Sequence, residues 1–278
     1  LLAPFDMSAH KSGNPVFALT SNLISRGYET FASKRIYQAI SLLKGNDRAN
    51  ALIAIARLQK TLAEMLMSER ADLNKSEWNF VVLEDETDIA RIAIEDFYEM
   101  YHHLIALTED YSRLKLPKFN LFNGRTADTS ILYDAVFDVS VSKVCEPDKI
   151  AFGNYHVQND CYFVIRSSRN ICDERTIYTS ERIKYKPLVT RDNQGNYNSI
   201  EDNVAHLRYF LNLLFQKQDF RPGQLPILNR ALQLKSVIGL LPTGGGKSLT
   251  YQLAALLQPG LTLVIDPLRG LMKDQYDG

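Results

Sequence analysis

The turn PTGGGKS at residues 242–248 constrains the fold of this chain more than any other part of its sequence. The apolar run SVIGLL (236–241) precedes it and predicts a strand, and KSLTYQLAALL (247–257) follows with the apolar spacing of a helix. A glycine-rich turn between a strand and a helix is the context that a phosphate-binding loop requires. The sequence therefore predicts an α/β fold here, with an anion site at the turn.

The residue types in this turn suit the terminal phosphates of a nucleotide. Three consecutive glycines let backbone N–H groups approach an oxyanion with no Cβ in the way, and the helix adds its positive end. We expect Lys247 to neutralise the β and γ phosphates as the catalytic lysine, and the Ser248 hydroxyl to ligate Mg²⁺. The strict pattern begins with glycine, and this chain has Leu241 there. The predicted ATP-binding residues of the loop are Thr243, Gly244, Gly245, Gly246, Lys247 and Ser248.

Two other blocks accompany this loop, QDFRPGQ at 218–224 and LTLVIDPLRGLMKDQ at 261–275. In this order and spacing, the three blocks resemble motifs 0, I and Ia of RecQ-family DNA helicases, which belong to helicase superfamily 2. The resemblance covers the chain from about residue 205 to residue 278. It implies a partial RecA-like P-loop domain at the C-terminal end, with ATP and Mg²⁺ as cofactors and single-stranded or forked DNA as the partner.

The resemblance assigns the adenine contact to the FRPGQ block. Gln224 would bind the adenine edge, because one side-chain amide supplies both a donor and an acceptor, and Arg221 would pack near the base. Where the family usually has an aromatic residue that stacks on adenine, this chain has Lys217. This departure implies either weaker adenine selectivity or stacking by the Arg221 guanidinium, and we include Lys217 in the predicted ATP site.

The block LTLVIDPLRGLMKDQ allows two interpretations of Asp266. Four apolar residues that end in an acid are typical of a Walker B strand, whose carboxylate holds Mg²⁺. The PL and LMKDQ that follow resemble motif Ia, which contacts the backbone of single-stranded DNA, and we favour that interpretation. The family commonly has a small hydroxyl residue at the Asp266 position. The resemblance then implies that DNA is bound by Pro267, Leu268, Arg269 and Lys273.

Hydrolysis in this superfamily also needs a DExH carboxylate pair and an arginine finger from a second RecA-like domain. The nearest match, DERT at 173–176, precedes the phosphate loop and ends in threonine, so we reject it. We therefore expect an N-terminal fragment of an ATP-dependent helicase that unwinds DNA in the 3'-to-5' direction. Alone, residues 1–278 are expected to bind ATP weakly, if at all, and not to unwind DNA. DNA repair and DNA recombination are the expected pathways, and phage defence remains open.

The rest of the chain predicts a mixed α/β accessory region. We expect a helical segment over 1–76, with a hairpin of helices at 33–44 and 47–70, an α/β region over 77–198, and helicase sequence over 199–278. In the α/β region, the predicted elements are a strand at 78–84, a helix at 87–111 with Thr87 as its N-cap, the strands KFNLF and LYDAVFDVSV, and β structure over 150–191. The polar stretch RDNQGNYNS (191–199) is the candidate linker, and Ser199 is expected to begin a helix.

Three hypotheses remain open for the accessory region. Arg182, Lys184 and Lys186 would share one face of a strand and could bind phosphates, or they could form an ordinary exposed face. Asp134, Asp138 and Lys143 could belong to a Mg²⁺-dependent nuclease set, which would make the protein a nucleic-acid-binding or nuclease protein with a regulatory NTPase part. His102 and His103 are interpreted as part of a helix face rather than as metal ligands.

Composition narrows these hypotheses only a little. Lys plus Arg and Asp plus Glu both number 32, so a DNA-binding surface must be a local patch. Cys145, Cys161 and Cys172 have no C-x-x-C spacing and are interpreted as reduced thiols. With no apolar run of membrane-spanning length and no leader sequence at the start, we expect a cytoplasmic location.

Overall fold

The computed structural model describes residues 9–11, 15–25, 33–67, 75–84, 89–111, 116–124, 126–140, 155–166 and 177–265. The helices are α1 (Pro15–Ser25), α2 (Lys34–Ser41), α3 (Asn46–Met67), α4 (Ile89–Leu107), α5 (Glu201–Phe215), α6 (Gln224–Leu232) and α7 (Lys247–Leu256). The strands are β1 (Ala9–Lys11), β2 (Glu77–Glu84), β3 (Lys118–Asn123), β4 (Leu132–Tyr133), β5 (Ala135–Ser140), β6 (His156–Val157), β7 (Tyr162–Arg166), β8 (Ile177–Thr179), β9 (Val189–Arg191) and β10 (Tyr197–Ser199).

The centre of the accessory region is a four-stranded parallel sheet with the order β3-β2-β5-β7. Parallel sheets are covered on both faces, so their central strands are apolar runs without alternation. Accordingly, Phe80 and Val81 of β2 and Val136 and Phe137 of β5 are fully buried. The rings of Phe80 and Phe137 pack edge to face, with their centroids 5.3 Å apart. The predicted α/β class and the predicted strand at 78–84 are confirmed.

Helices cover this sheet and continue its core. The predicted helical hairpin is confirmed as α2 and α3, and the predicted helix at 87–111 as α4; Thr87 lies outside the described residues. The Ser33 hydroxyl caps α2 by accepting a hydrogen bond from the N–H of Ile36 at 3.2 Å. One hydrophobic core extends from α1 to α7, with Leu19, Phe97 and Leu253 all fully buried in it. None of the helices in the described ranges is long and apolar enough to span a bilayer.

Residues 191–199, the candidate linker, belong to a β-hairpin. Strands β9 and β10 pair in antiparallel fashion, and Asp192 closes the turn by accepting hydrogen bonds from the N–H groups of Gln194 and Asn196. The turn also contains Gly195 at φ +90°, a left-handed conformation that favours glycine. The N-cap of the next helix, α5, lies one residue later than predicted. It is Ile200 rather than Ser199, because Ser199 ends β10.

Three further strand predictions are wrong. Residues 236–241 are extended but pair with no strand in the described part of the chain, and the same is true of 261–265. A strand needs a neighbouring strand for its N–H and C=O groups, and an apolar run does not supply one. Residues 182–188 also form no regular strand; they contribute only an isolated bridge between Tyr185 and Thr108.

Candidate nucleotide site

The phosphate loop is held in a conformation that requires glycine. Gly244 and Gly246 have φ of +74° and +76°, and the N–H of Gly245 donates to the carbonyl of Pro242 at 2.9 Å. A Cβ on Gly245 would lie 2.9 Å from that same carbonyl oxygen, so a larger residue would collide with the backbone. Helix α7 begins at Lys247, directly after this turn, and its N-cap is Gly246. The positive end of the helix is therefore directed at the loop.

Gln224 ties the FRPGQ block to this loop. It is the first residue of α6 and only 2% exposed. Its side-chain N–H donates to the carbonyls of Gly245 and Gly246, both at 3.1 Å, and its side-chain carbonyl accepts from the N–H of Arg221 at 2.8 Å. The Arg221 guanidinium donates to the carbonyl of Gly244. Because these bonds engage loop carbonyls, they do not compete for the loop N–H groups that an anion would bind.

Leu241 fills the position where the strict pattern has glycine. A Cβ on Gly223 would lie 2.8 Å from Leu241 Cδ2, and one on Gly245 would lie 3.2 Å from Leu241 Cβ. The leucine thus packs closely on a glycine of each motif, and Gly223 itself has φ +86°. This packing explains how the loop accommodates a side chain at residue 241. Sequence reasoning missed the contact, although the Pro-Gly before Gln224 was the signal for a backbone position that needs glycine.

An ion-pair network positions the FRPGQ block on α5. Arg208 donates from Nε to Asp219 and from Nη1 to Glu201, both at 2.9 Å. Asp219 also accepts from the N–H of Phe220 at 2.8 Å, and the Arg208 hydrogen bond is the main cause of its lowered pKa. Lys217 precedes this network and is exposed. Sequence reasoning also missed this network.

The remaining predicted residues are divided between the loop and a segment that is not described. Thr243 and Lys247 are exposed, and Ser248 is half-buried in the first turn of α7. The DNA-binding residues Pro267, Leu268, Arg269 and Lys273 lie outside the described residues, as does Asp266.

The loop fits the cofactors that its sequence implies. Backbone N–H groups and a helix start suit phosphate oxygens, and a half-buried hydroxyl directly after Lys247 suits Mg²⁺ held jointly with those oxygens. Within the described ranges, no group of three or more His, Cys, Asp or Glu side chains could hold a metal by itself.

The other candidate residues are engaged elsewhere. Asp134 accepts hydrogen bonds from Lys75 Nζ at 2.6 Å and from the N–H of Asn79 at 2.8 Å, so it links β2 to the start of β5. Asp138 is half-buried on β5, and Lys143 lies outside the described residues. Two of the three cations predicted to share a strand face also have partners. Lys184 pairs with Glu109 at 2.6 Å, and Lys186 Nζ donates to a carbonyl at the end of α4 at 2.8 Å.

Comparison with known proteins agrees with this geometry. Residues 221–278 match the DEAD/DEAH box helicase family. The chain is 36% identical over 139 residues to ATP-dependent DNA helicase Q-like 4B of Arabidopsis thaliana, covering 49% of this chain and 12% of the relative. It is 49% identical over 69 residues to ATP-dependent DNA helicase Q1 of Rattus norvegicus, covering 25% of this chain and 11% of the relative. It is 51% identical over 67 residues to ATP-dependent DNA helicase RecQ of Haemophilus influenzae, covering 24% of this chain and 11% of the relative.

Residues 221–278 are therefore similar in sequence to DEAD/DEAH box helicases, and the glycine-rich turn before α7 lies within that match. The three relatives are named as RecQ or Q-type DNA helicases, and each is similar to only part of this chain. The chain spans only 11% to 12% of the length of these three relatives. No solved structure matches it.

Proposed function

We propose that this chain supplies nucleotide-binding elements of a RecQ-like, ATP-dependent DNA helicase, which couples ATP hydrolysis to 3'-to-5' unwinding. The observation that carries the proposal is the bond from the Gln224 side chain to the carbonyls of Gly245 and Gly246 at 3.1 Å. A glutamine of one motif is buried against the phosphate loop of another, more than twenty residues further along the chain. The names of the relatives support ATP and DNA as ligands.

In this proposal each residue has a role that its position allows. The backbone of residues 243–247 and the start of α7 bind the phosphates, and the exposed Lys247 ammonium neutralises their charge. Ser248 holds Mg²⁺, which screens the phosphate charge when it is bound. Gln224 is already hydrogen-bonded on both sides of its amide, so its contact with adenine requires that it give up or share one of these bonds.

The substrate in this proposal is DNA with a single-stranded or forked segment. Pro267, Leu268, Arg269 and Lys273 are its proposed contacts, because they follow the phosphate loop in the order and spacing of motif Ia. DNA repair and recombination are the proposed pathways.

The substitution Lys247→Ala in the full-length protein tests this function. We expect ATP turnover to fall by about 100-fold or more, because the charge that stabilises the transferring phosphate is removed. The thermal unfolding midpoint should hardly change, since Lys247 is exposed. The measurement is DNA-stimulated ATP hydrolysis, together with unwinding of a labelled fork.

Lys235→Ala is the matched control. Lys235 is exposed, and its Nζ donates to the side chain of the neighbouring Gln233 in the turn after α6. The proposal is wrong if Lys247→Ala hydrolyses ATP and unwinds the fork as fast as Lys235→Ala does.

A further inference from the structure

Tyr185 lies where three helices end. It is completely buried, although both of its neighbours, Lys184 and Lys186, are basic. Its N–H donates to the carbonyl of Leu232, the last residue of α6, at 3.3 Å. Its hydroxyl donates to the carbonyl of Leu257, the C-cap of α7, at 2.5 Å. The final carbonyls of a helix have no partner within the helix, so Tyr185 satisfies one in each of these two.

Gln258 adds a second connection to the same segment. Its side-chain carbonyl accepts from the N–H of Ile183 at 3.0 Å, and its side-chain N–H donates to the carbonyl of Ile183 at 2.7 Å. Both ends of the amide are therefore bonded to one backbone residue. Ile183 is itself fully buried. We call residues 181–189 the anchoring segment.

On its other side, the anchoring segment is bound to α4 of the accessory region. Tyr185 bridges to Thr108 in antiparallel fashion, and the carbonyl of Lys184 accepts from the N–H of Glu109 at 2.8 Å. The N–H of Lys186 donates to the carbonyl of Leu107 at 2.8 Å. The segment thus joins the end of a helix that packs on the parallel sheet to the ends of α6 and α7.

The two helices that meet the anchoring segment both begin at the nucleotide site. Helix α6 begins with Gln224, and α7 begins with Lys247. They have 9 and 10 residues, so each spans roughly 15 Å from the site to the segment. A short helix moves nearly as a rigid body, and fixing its far end limits rotation at its near end. The extended runs at 236–241 and 261–265 pair with no described strand. Helices α6 and α7 are attached to the accessory region through the bonds at their far ends, through the bond from the N–H of Leu188 to the Asn229 side chain, and through the shared core.

We propose that Tyr185 and Gln258 are positioning residues for the nucleotide site. By holding the far ends of α6 and α7, they keep Gln224 in register with the phosphate loop. This inference rests on the proposed function. It assigns to the accessory region, which lies outside the helicase motifs, a direct contribution to nucleotide affinity.

The test compares two buried tyrosines in the full-length protein. Tyr185→Phe removes the hydroxyl that binds Leu257, and Tyr133→Phe is the matched control. Tyr133 is also fully buried, and its hydroxyl also donates to a backbone carbonyl, that of Asp128, at 2.9 Å. It belongs to a separate small hydrophobic cluster on the sheet. The two variants therefore delete the same group in different places.

Three measurements decide the inference. We expect Tyr185→Phe to weaken the binding of Mg-ATP, measured by titration calorimetry, by about fivefold, the effect of about one lost hydrogen bond. Gln258→Ala, which loses two hydrogen bonds, should weaken it by at least as much. Amide hydrogen exchange at residues 243–247 should become faster in both. Tyr133→Phe should lower the thermal midpoint about as much as Tyr185→Phe does, because each loses one buried hydrogen bond. It should change neither the affinity for ATP nor the hydrogen exchange of the loop.

The outcomes separate the two proposals. If Tyr185→Phe and Tyr133→Phe have equal ATP affinity and equal loop exchange, Tyr185 acts only through stability and the inference is wrong. If the unmodified protein binds no ATP, the proposed function fails, and loop exchange in the variants still decides whether Tyr185 positions the loop.

Discussion

The parallel sheet and the phosphate loop both come from apolar runs followed by helices, but they are held in place differently. In the sheet, β2 and β5 pair with neighbours on both sides, and Phe80 and Phe137 are fully buried. Around the loop, the runs at 236–241 and 261–265 pair with no described strand, and Leu240 is 91% exposed.

This difference shows that the loop owes its conformation to side chains and helix ends. Gln224 and Arg221 bind its carbonyls, Leu241 packs between its glycines and Gly223, and α7 is held at its far end by Tyr185. The sheet, by contrast, is stabilised by burial of apolar area over whole strands. We therefore expect substitutions in the sheet to change the stability of the protein, and substitutions at the loop to change ligand binding.

The largest expected effect is that of Phe137→Ala. Its ring contacts Phe80 and Phe163, each with a centroid distance of 5.3 Å, so truncation leaves a large cavity. We expect the free energy of unfolding to fall by about 3–5 kcal/mol, measured by urea denaturation. Leu240→Ala, which also shortens an apolar side chain in an extended run, should change it by less than about 0.5 kcal/mol. Similar losses for both would mean that the run at 236–241 is as well packed as the sheet.

How far the sequence predicts the fold follows from the same contrast. The strand at 78–84 and the helices α2, α3 and α4 are predicted correctly, because their apolar spacing alone identifies a buried strand or helix face. The strand at 236–241 is not found, because pairing depends on neighbours that periodicity does not specify. The anchoring segment is missed for another reason. Alternating basic and apolar residues favour an exposed strand, whereas Ile183 and Tyr185 are buried by helices distant in sequence.

The next expected effect concerns the loop itself. Gly246→Ala places a Cβ against the side-chain nitrogen of Gln224, at a backbone φ of +76°. We expect a loss of about 1–2 kcal/mol in stability from the left-handed conformation. ATP binding should weaken by about tenfold, because Gln224 is displaced from the loop carbonyls and two hydrogen bonds are lost. Denaturation and calorimetric titration measure the two effects.

Gly260→Ala separates strain from displacement. Gly260 has φ +91°, and a Cβ there meets nothing within 4 Å. The Gly260→Ala protein should therefore lose about as much stability as the Gly246→Ala protein does, but it should keep its affinity for ATP. Equal ATP affinity in the two variants would contradict the role of the Gln224 contact.

The candidate site was partly predictable from the sequence. Gln224 and Lys247 are proposed from local motifs, and the structure brings the blocks that contain them together. The contact of Leu241 with Gly223 and the bond from Tyr185 to Leu257 depend on the way helices pack, which short motifs do not encode. The roles of Lys217 and of the residues after 265 remain predictions.

The smallest expected effect tests how firmly the two regions are joined. His103 of α4 and His206 of α5 approach each other with their Nδ1 atoms 2.8 Å apart, and the Tyr209 ring stacks on His103 at a centroid distance of 4.1 Å. Burial lowers the pKa of His103 from 6.5 to about 4, and burial also lowers the pKa of His206. Around this pair, the charges of His102 and Lys186 favour the neutral form of His206, and Asp202 opposes them.

The sign of the pH dependence follows from these shifts. Above pH 6.5, His103 is neutral in both the folded and the unfolded chain, and its contribution to stability is fully present. As the pH falls below 6.5 towards 4, the unfolded chain takes up a proton that the folded chain does not, so stability is lost. Between about pH 7.5 and pH 5 we expect the thermal midpoint to fall by about 2 °C on account of this pair, after allowance for solvent screening.

His103→Asn should remove this part of the pH dependence, because the amide does not titrate. His102→Asn, at the exposed neighbouring position, is the control and should keep it. If α4 and α5 join the sheet region to the nucleotide site as closely as their shared core indicates, one cooperative transition should move with pH in the unmodified protein. Two transitions, with only one sensitive to His103, would mean that the sheet region and the nucleotide site unfold separately. The support that the anchoring segment gives to the loop would then be lost before the sheet unfolds.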